Sequence, residues 1–295
     1  MRFAKYQGTG NDFLMVEDLN AELHLSGALI AAACDRHRGV GADGLIRIVR
    51  GDAGGFPDAD FYMDYSNADG EAAEMCGNGI RCLAKYVFER GLTNAAEIRV
   101  WTRAGMKHLV LQTDEGRVQS VTVDMGAPAF ERRAIPMSGD PEATFIGRPL
   151  DVAGRTYTAT AVSMGNPHCV LLLDAGDDLA AIDVKGLGTL IEHRSEFPSR
   201  TNVEFVKVES GRIVLRVWER GSGETMACGT GACAALVACS LAGLTGREAE
   251  VEFPGGLLRV AWGVDHALLT GPAVHVFDGE LTDAWMSEVL AEARR

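Results

Sequence analysis

Two stretches of the sequence share one pattern, NADGEAAEMCGNGIRC at residues 67–82 and ERGSGETMACGTGAC at residues 219–233. Each has a glycine-containing turn, then Cys-Gly-x-Gly, then a run of small residues typical of a buried helix. The cysteines of the two copies, Cys76 and Cys228, lie about half a chain length apart. A motif that occurs once in each half predicts two domains of similar fold, each presenting one cysteine at a strand-to-helix turn.

The segments around the two copies predict a β-rich chain. Near period-two alternation of β-branched and aromatic residues predicts strands at residues 45–49, 61–65, 97–102, 117–123 and 212–218. Small and apolar residues predict helices at residues 23–36, 79–90, 231–242 and 283–295. Strands outnumber helices, which favours the α+β class. Prolines and glycines between residues 125 and 149 indicate a connecting segment, with a domain boundary near residue 127.

The composition excludes several classes of function. The 295-residue chain has a net charge of −13, which disfavours nucleic acid and anionic membranes as partners. It has no apolar run near the ~20 residues of a membrane span and no signal-peptide pattern, so we expect a cytoplasmic protein. Its seven cysteines are odd in number and include no Cys-x-x-Cys pair. A disulfide framework and a zinc site are therefore disfavoured, and no metal is expected.

The position of the two cysteines suits acid–base chemistry at carbon. At a helix N-terminus, the helix dipole and the free backbone N–H groups should favour the reactive thiolate. The glycines let those N–H groups approach a carboxylate, whose growing charge they would stabilise when an α-proton is removed. One thiolate could take the proton from one face while one thiol adds a proton to the other. Such a reaction inverts an amino acid and needs no pyridoxal phosphate or other cofactor.

Other polar positions have a structural and a functional interpretation. Asn11, in a glycine-rich turn, and Asn166, before Pro167, are typical turn residues that could also face a ligand. Asn202 could cap a turn or line a site, and Arg220 could be a solvated charge or a carboxylate-binding fork. Three further residues, Asp35, His37 and Asp43, have a spacing that could suggest metal ligands. Local salt bridges and turn hydrogen bonds are the preferred interpretation of those three.

Eight short motifs, in order over nearly the whole chain, resemble the signature loops of the diaminopimelate epimerase family. They are GTGNDF at 8–13, NADG at 67–70, CGNG at 76–79, SMGNPH at 163–168, ERG at 219–221, GET at 223–225, ACGTG at 227–231 and GPAVHV at 271–276. The resemblance implies an α+β fold of two pseudo-symmetric β-rich domains, each wrapped around a central helix, with the active site in the interdomain cleft. It implies that the last strand returns to the first domain, giving domains 1–127 plus 273–295 and 128–272. It also implies a homodimer.

The activity implied is the cofactor-independent interconversion of LL- and meso-2,6-diaminopimelate, a step of lysine biosynthesis, with this small molecule as the only partner besides a second copy. By position, Cys76 and Cys228 match the two catalytic residues. The match extends to an α-carboxylate cradle of Gly77, Asn78, Gly229 and Thr230, and to a polar substrate-binding set of Asn11, Asn67, Asn166, Asn202, Glu219 and Arg220. His168 and Glu219 match residues that modulate the thiols.

Two positions depart from the family pattern. Many members have a glutamine where this chain has Gly44, so that contact with the distal end of the substrate must be absent or made by backbone. Many have serine where Thr230 stands, which keeps a hydroxyl and an N–H group. Both cysteine motifs are intact.

Alternative functions stay open at this point. One is a racemase of the same fold for another amino acid such as histidine, although three asparagines and Arg220 suit a second amino-acid head group better than an imidazole. Another is a non-catalytic amino-acid-binding protein, against which the two intact cysteine motifs argue. A metal or redox protein would need clustered thiols, and the sequence has none.

Overall fold

The computed structural model describes residues 1–293, which form two compact units. Unit 1 comprises Met1–Val123 together with the chain from Gly271 onward, and unit 2 comprises Asp124–Thr270. Unit 1 is therefore built from two separate segments of sequence, whereas unit 2 is continuous.

The first part of the chain supplies most of unit 1. Its elements are β1 (Arg2–Gly8), β2 (Asn11–Glu17), α1 (Gly27–Cys34), β3 (Gly44–Arg50), β4 (Phe61–Asn67), α2 (Gly77–Glu89), β5 (Glu97–Thr102), β6 (Gly105–Asp114) and β7 (Arg117–Gly126).

Unit 2 begins with a segment in which Ala129, Glu131 and Thr144 form isolated β-bridges. Its elements are β8 (Arg148–Val152), β9 (Arg155–Ser163), β10 (Pro167–Leu172), α3 (Val184–Glu192), β11 (Asn202–Glu209), β12 (Arg212–Glu219), β13 (Gly223–Thr225), α4 (Gly229–Leu241), β14 (Glu248–Phe253), β15 (Gly256–Trp262) and β16 (Ala267–Gly271). The chain then returns to unit 1 with β17 (Val274–Glu280) and α5 (Asp283–Glu292).

Strand pairing follows the same order in both units. In unit 1 the order is β17-β1-β2-β3-β4-β5-β6-β7, with β2–β3 and β4–β5 parallel. In unit 2 it is β8-β9-β10-β11-β12-β14-β15-β16, with the parallel pairs β10–β11 and β12–β14 at the matching places. The predicted α+β class with two pseudo-symmetric, β-rich halves is confirmed.

Each unit encloses one central helix that begins immediately after a motif cysteine. Helix α2 packs against β1, β2 and β3 and buries an apolar face that includes Ile80, Leu83 and Val87. Helix α4 packs against the strands of unit 2 and is apolar around its whole circumference, as a fully enclosed helix must be. The N-caps of these two helices are Cys76 and Cys228.

The predicted elements are present, with altered ends in two helices. The helix predicted at 23–36 begins only after Ser26, whose side chain caps it by accepting the N–H of Leu29. The residues before it are held in a turn, because the Asp18 carboxylate accepts the N–H groups of Glu22 and Leu23. The helix predicted at 283–295 spans Asp283–Glu292, and the last two residues of that prediction lie outside the described chain.

Helix α3 carries no strong sequence signal and was absent from the predicted elements. It contains Gly186 and Gly188, which lower helix propensity. A Cβ at Gly188 would lie 2.5 Å from the indole of Trp218, so glycine is needed for close packing on β12. Among the helices of residues 1–293, none is both long and apolar enough to span a membrane.

Candidate active site

Cys76 stands at the start of α2 in an extended conformation, half-buried. Its thiol Sγ lies 3.4 Å from Oδ1 of Asn11, which can accept its proton in a hydrogen bond. Asn11 is oriented by Asp43, whose carboxylate accepts from Asn11 Nδ2 at 2.6 Å. Asp43 in turn pairs with Arg36 at 2.7 Å. The first thiol thus contacts an amide that an ion pair holds in place.

A buried polar group lies behind the Cys76 motif. Asn78 is 2% exposed, and its Oδ1 accepts from the Thr9 hydroxyl at 3.2 Å and from Nη2 of Arg81 at 3.0 Å. Arg81 is fully buried and also donates to the carbonyl oxygens of Gly77 and Pro272. These bonds tie the Gly8–Gly10 turn to the first turn of α2. Sequence reasoning missed Arg81, because an arginine in a helix is usually exposed.

Gly44 begins β3 directly opposite Asn67, which ends β4 and is exposed. A Cβ at Gly44 would lie 2.5 Å from the carbonyl oxygen of Ser66 and 2.6 Å from Cε2 of Tyr65. A side chain at this position would meet the Ser66 carbonyl and the Tyr65 ring, so the glutamine contact that the family resemblance implies has no side-chain counterpart in this chain.

Cys228 stands at the start of α4 and is 5% exposed. Its Sγ accepts the N–H of Gly231 at 3.4 Å and lies 3.4 Å from the hydroxyl of Thr230. The two copies of the cysteine motif therefore place their cysteine at the same helix position. Only in unit 2 does the sulfur accept a hydrogen bond from the N–H group three residues later.

At Cys228 the hydrogen bonds of the helix start favour the thiolate, but burial and nearby carboxylates act more strongly in the opposite direction. Burial raises the pKa of this thiol well above its ordinary value, and the carboxylates of Glu219 and Glu204 raise it further. Hydrogen bonds from Thr230 and from the N–H of Gly231 lower the pKa but do not outweigh those effects. The reason is that removal from water and two nearby negative charges disfavour the thiolate more than the helix end stabilises it.

The Glu219–Arg220 turn is held by side chains from neighbouring elements. Asn202 accepts the N–H of Arg220 at 2.8 Å and donates to the carbonyl of Pro167 at 2.9 Å. Glu192, a buried residue that sequence reasoning did not single out, accepts the N–H of Gly221 at 3.0 Å. The Arg220 side chain is exposed, and one of its nitrogens donates to the Ser199 carbonyl at 3.2 Å. Backbone contacts thus fix the turn while the guanidinium reaches solvent.

A chain of hydrogen bonds connects Cys228 to a buried pair. Thr230, which contacts the sulfur, accepts from Nδ2 of Asn166 at 3.3 Å. Asn166 Oδ1 lies 2.9 Å from Nε2 of His168, and His168 Nδ1 lies 2.7 Å from Oε1 of Glu204. His168 and Glu204 are both fully buried. Glu204 was not predicted, since a glutamate in a strand next to Asn202 carries no distinctive sequence signal.

The repeat places matching residues at matching points of the two units. The pairs are Asn11 and Asn166 at the turns that lead into β2 and β10, Gly44 and Asn202 at the start of β3 and β11, Asn67 and Glu219 at the end of β4 and β12, Cys76 and Cys228 at the helix N-cap, Gly77 and Gly229, and Asn78 and Thr230. All members of the predicted substrate-binding set except Arg220 occur in these pairs. Each helix start also offers backbone N–H groups that have no partner within the helix, as an anion requires.

Asp35 and Asp43, whose spacing with His37 could suggest metal ligands, form hydrogen bonds and a salt bridge with nearby residues. Asp35 accepts the N–H groups of His37 at 2.7 Å and Arg38 at 2.8 Å, and Asp43 pairs with Arg36. The preferred interpretation of this segment as turn bonds and salt bridges is confirmed. Across residues 1–293, no three His, Cys, Asp or Glu side chains are grouped closely enough to hold a metal ion.

Comparison with known proteins identifies the family to which the sequence is similar. A sequence model of the diaminopimelate epimerase family matches residues 3–131 and 160–276. The diaminopimelate epimerase of Pelotomaculum thermopropionicum is 49% identical over 284 residues, covering 95% of this chain and 98% of that protein. That of Acetivibrio thermocellus is 44% identical over the same shares of the two chains.

Solved structures of low sequence identity share the fold. A hydroxyproline epimerase from Agrobacterium vitis superposes with a TM-score of 0.67 at 15% identity, covering 98% of each chain. A phenazine biosynthesis protein from Bacillus anthracis superposes with a TM-score of 0.66 at 17% identity, covering 96% of this chain and 99% of that one. The matched residues, the high identity over almost the full length and the two cysteine motifs lead to one conclusion: the chain belongs to the diaminopimelate epimerase family.

Proposed function

We propose that this protein interconverts LL- and meso-2,6-diaminopimelate, as a step toward lysine, with Cys76 and Cys228 as the acid and base and without a cofactor. The observation that carries the proposal is the repeated cysteine at the start of a central helix, one in each unit. The names of the relatives supply the substrate, and the chemistry of the two helix starts supplies the mechanism.

The mechanism requires the two thiols to reach opposite faces of one α-carbon. In one direction a thiolate removes the proton while the other thiol adds one, and the reverse reaction exchanges the roles. The N–H groups at Gly77, Asn78, Gly229 and Thr230 would bind the α-carboxylate and stabilise the charge that develops on it. Asn11, Asn67, Asn166 and Asn202 would hold the polar groups of the substrate. His168 and Glu219 would act on the thiols.

Arg220 suits the carboxylate at the far end of the substrate. Its guanidinium is exposed, and its backbone is fixed by Asn202. A planar guanidinium can bind a carboxylate with two parallel hydrogen bonds. A substrate with a second amino-acid head group would use this contact, whereas an imidazole would leave it unmatched.

The test is proton exchange in heavy water. The full chain is incubated with LL-diaminopimelate, and deuterium at the α-carbon and the configuration of the product are followed by mass spectrometry and chiral chromatography. We expect inversion with deuterium uptake, unaffected by a chelator and lost in Cys76→Ala and in Cys228→Ala. The matched control is Cys239→Ala, which removes a buried thiol of α4 outside the motif and should retain inversion.

Other outcomes would replace the proposal. Inversion of histidine without inversion of diaminopimelate would indicate a racemase of the same fold with another substrate. Binding of diaminopimelate without exchange would indicate an amino-acid-binding protein. Inversion that survives in both single-cysteine variants would exclude the two-thiol mechanism.

We further propose that domains 1–127 plus 273–295 and 128–272 are the functional halves, that the protein acts in the cytoplasm, and that it works as a homodimer. The first rests on the repeat, the second on the substrate, and the third on the family. Light scattering of the purified chain at several concentrations tests the dimer, and a monomer with full activity would exclude it.

A further inference from the structure

The side chain beneath the first turn of the central helix differs between the two units. Gly79 and Gly231 each stand three residues after the motif cysteine. A Cβ at Gly79 would lie 2.7 Å from Cδ1 of Ile46, whereas a Cβ at Gly231 would lie 2.9 Å from Oε1 of Glu204. In unit 1 a methyl group of Ile46 therefore packs against the first turn of the central helix, and in unit 2 the carboxyl group of Glu204 does so.

Ile46 and Glu204 are equivalent positions of the repeat. Ile46 is the third residue of β3, which begins at Gly44 and pairs in parallel with β2. Glu204 is the third residue of β11, which begins at Asn202 and pairs in parallel with β10. The difference is thus a substitution within one common framework. It puts a titratable group next to one motif cysteine and none at the matching place next to the other.

Glu204 is held by one strong contact. Its Oε1 lies 2.7 Å from His168 Nδ1, within hydrogen-bond distance, and both residues are fully buried. Its Oε2 is buried without a hydrogen-bond partner among residues 1–293. Burial raises the pKa of Glu204, while His168 acts in the opposite direction. The start of α4 above the carboxylate also favours its negative charge.

Two routes connect Glu204 to Cys228. The first runs through one residue: Gly231 lies next to Oε1 of Glu204, and its N–H group donates a hydrogen bond to the Cys228 sulfur. A negative charge here opposes the field of the helix end at that sulfur. The second is the hydrogen-bond chain from Glu204 through His168, Asn166 and Thr230 to Cys228.

We propose that Glu204 is a positioning residue that keeps Cys228 in its protonated form between turnovers, so that Cys228 is held ready as the proton donor. This inference rests on the two-thiol mechanism proposed above, but it concerns the resting state of one thiol and can be measured without substrate. Unit 1 has Ile46 and Asn67 where unit 2 has Glu204 and Glu219, so the matching positions near Cys76 carry no negative charge. The repeat thereby places two geometrically equivalent thiols next to different side chains.

The titratable groups that face Glu204 come from three elements. They are His168 and Cys169 on β10, Glu219 on β12 and Cys228 at the start of α4. Replacing Glu204 with a neutral side chain leaves Glu219 in place, so the effect on Cys228 should be partial.

The experiment measures the pH dependence of thiol alkylation. The full chain is treated with iodoacetamide between pH 6 and 11, and the modification of each cysteine is followed by peptide mass spectrometry. In Glu204→Gln the midpoint for Cys228 should move to lower pH while that for Cys76 stays. A fall of one pH unit corresponds to about tenfold faster alkylation at a fixed pH below both midpoints. Glu204→Leu, which introduces an aliphatic side chain as in unit 1, should shift the midpoint in the same direction if Glu204→Gln does not fold.

The matched control is Asp18→Asn, which removes a buried carboxylate of unit 1 that accepts two backbone N–H groups. It should lower the unfolding temperature without moving the Cys228 midpoint. An unchanged or higher Cys228 midpoint in Glu204→Gln would overturn the proposal, as would an equal shift of Cys76. In the exchange assay the alkaline limb of the kcat/KM profile should also move to lower pH. If the wild-type chain exchanges no diaminopimelate proton but the alkylation shift is found, the proposed function fails, and only the effect of Glu204 on the resting Cys228 thiol stands.

Discussion

At the residue scale, the sequence predicted the groups that carry chemistry and missed those that support them. Cys76 and Cys228 could be found because their motif is repeated and because glycines mark a close approach of backbone to ligand. Arg81 and Glu204 could not, since both are residue types usually found in water, and only the tertiary structure removes them from it. Hydrogen-bond partners such as Thr230 and Asn166 lie far apart in sequence, so no spacing indicates their contact.

The hydroxyl of Thr230 can be tested on its own. It lowers the pKa of Cys228 and contacts Asn166, so Thr230→Ala should make the Cys228 thiolate less favourable when it forms during turnover. Loss of one such hydrogen bond costs about 0.5–1.5 kcal/mol, which corresponds to a fall in kcat/KM of roughly two- to thirteenfold. Thr230→Ser keeps the hydroxyl and is the matched control. Equal rates in the alanine and serine variants would show that the hydroxyl has no part in the reaction.

At the element scale, strands with alternating patterns and the two central helices were predictable, because their periodicity reports burial directly. Helix α3 was not, because its glycines lower helix propensity and are required by a neighbour that sequence alone does not identify. Its last residue, Glu192, also accepts the indole N–H of Trp218 at 2.7 Å and the N–H of Gly221. The helix therefore connects the packing of β12 to the turn that carries Arg220.

Gly188→Ala should therefore affect both stability and substrate binding. The added methyl group would lie against the Trp218 ring, and overpacking of this kind costs about 1–3 kcal/mol of unfolding free energy. Urea unfolding measures the loss, and a raised KM for diaminopimelate would report displacement of the Arg220 turn. Lys185→Ala, at an exposed position of the same helix, is the control. A Gly188→Ala protein with wild-type stability would show that α3 can shift freely on β12.

At the scale of the whole molecule, the strand order is repeated and the charges are not. The motif repeat predicted two similar halves, and the pairing in each unit confirms the symmetry strand by strand. The supporting residues break it: Ile46 stands opposite Glu204 in the repeat, Asn67 opposite Glu219, and Arg81 opposite Cys233. In the proposed mechanism, the repeated backbone would supply one thiol for each face of a carbon, and the difference in charge would favour one of them as the acid.

Oxidation offers a test of the two-thiol arrangement as a whole. If the two thiols act on one carbon, as proposed, they should approach closely enough to form a disulfide when substrate is absent. We therefore expect mild oxidant to abolish activity, thiol reductant to restore it, and peptide mapping to find a Cys76–Cys228 link. Substrate should protect against the loss, and Cys239→Ala should behave as the wild type. Activity that is insensitive to oxidant would count against the shared site.

The return of β17 to β1 has a consequence for how the protein is made. Unit 2 lies on one continuous stretch of chain and can assemble as soon as that stretch leaves the ribosome. The first strand to be synthesised, β1, pairs on one side with β2 but on the other with a strand made near the end of translation. Until then β1 is an open edge on a nascent chain, available to wrong partners. Premature termination after residue 270 would therefore leave the second unit attached to a first unit whose sheet lacks its end strand beside β1.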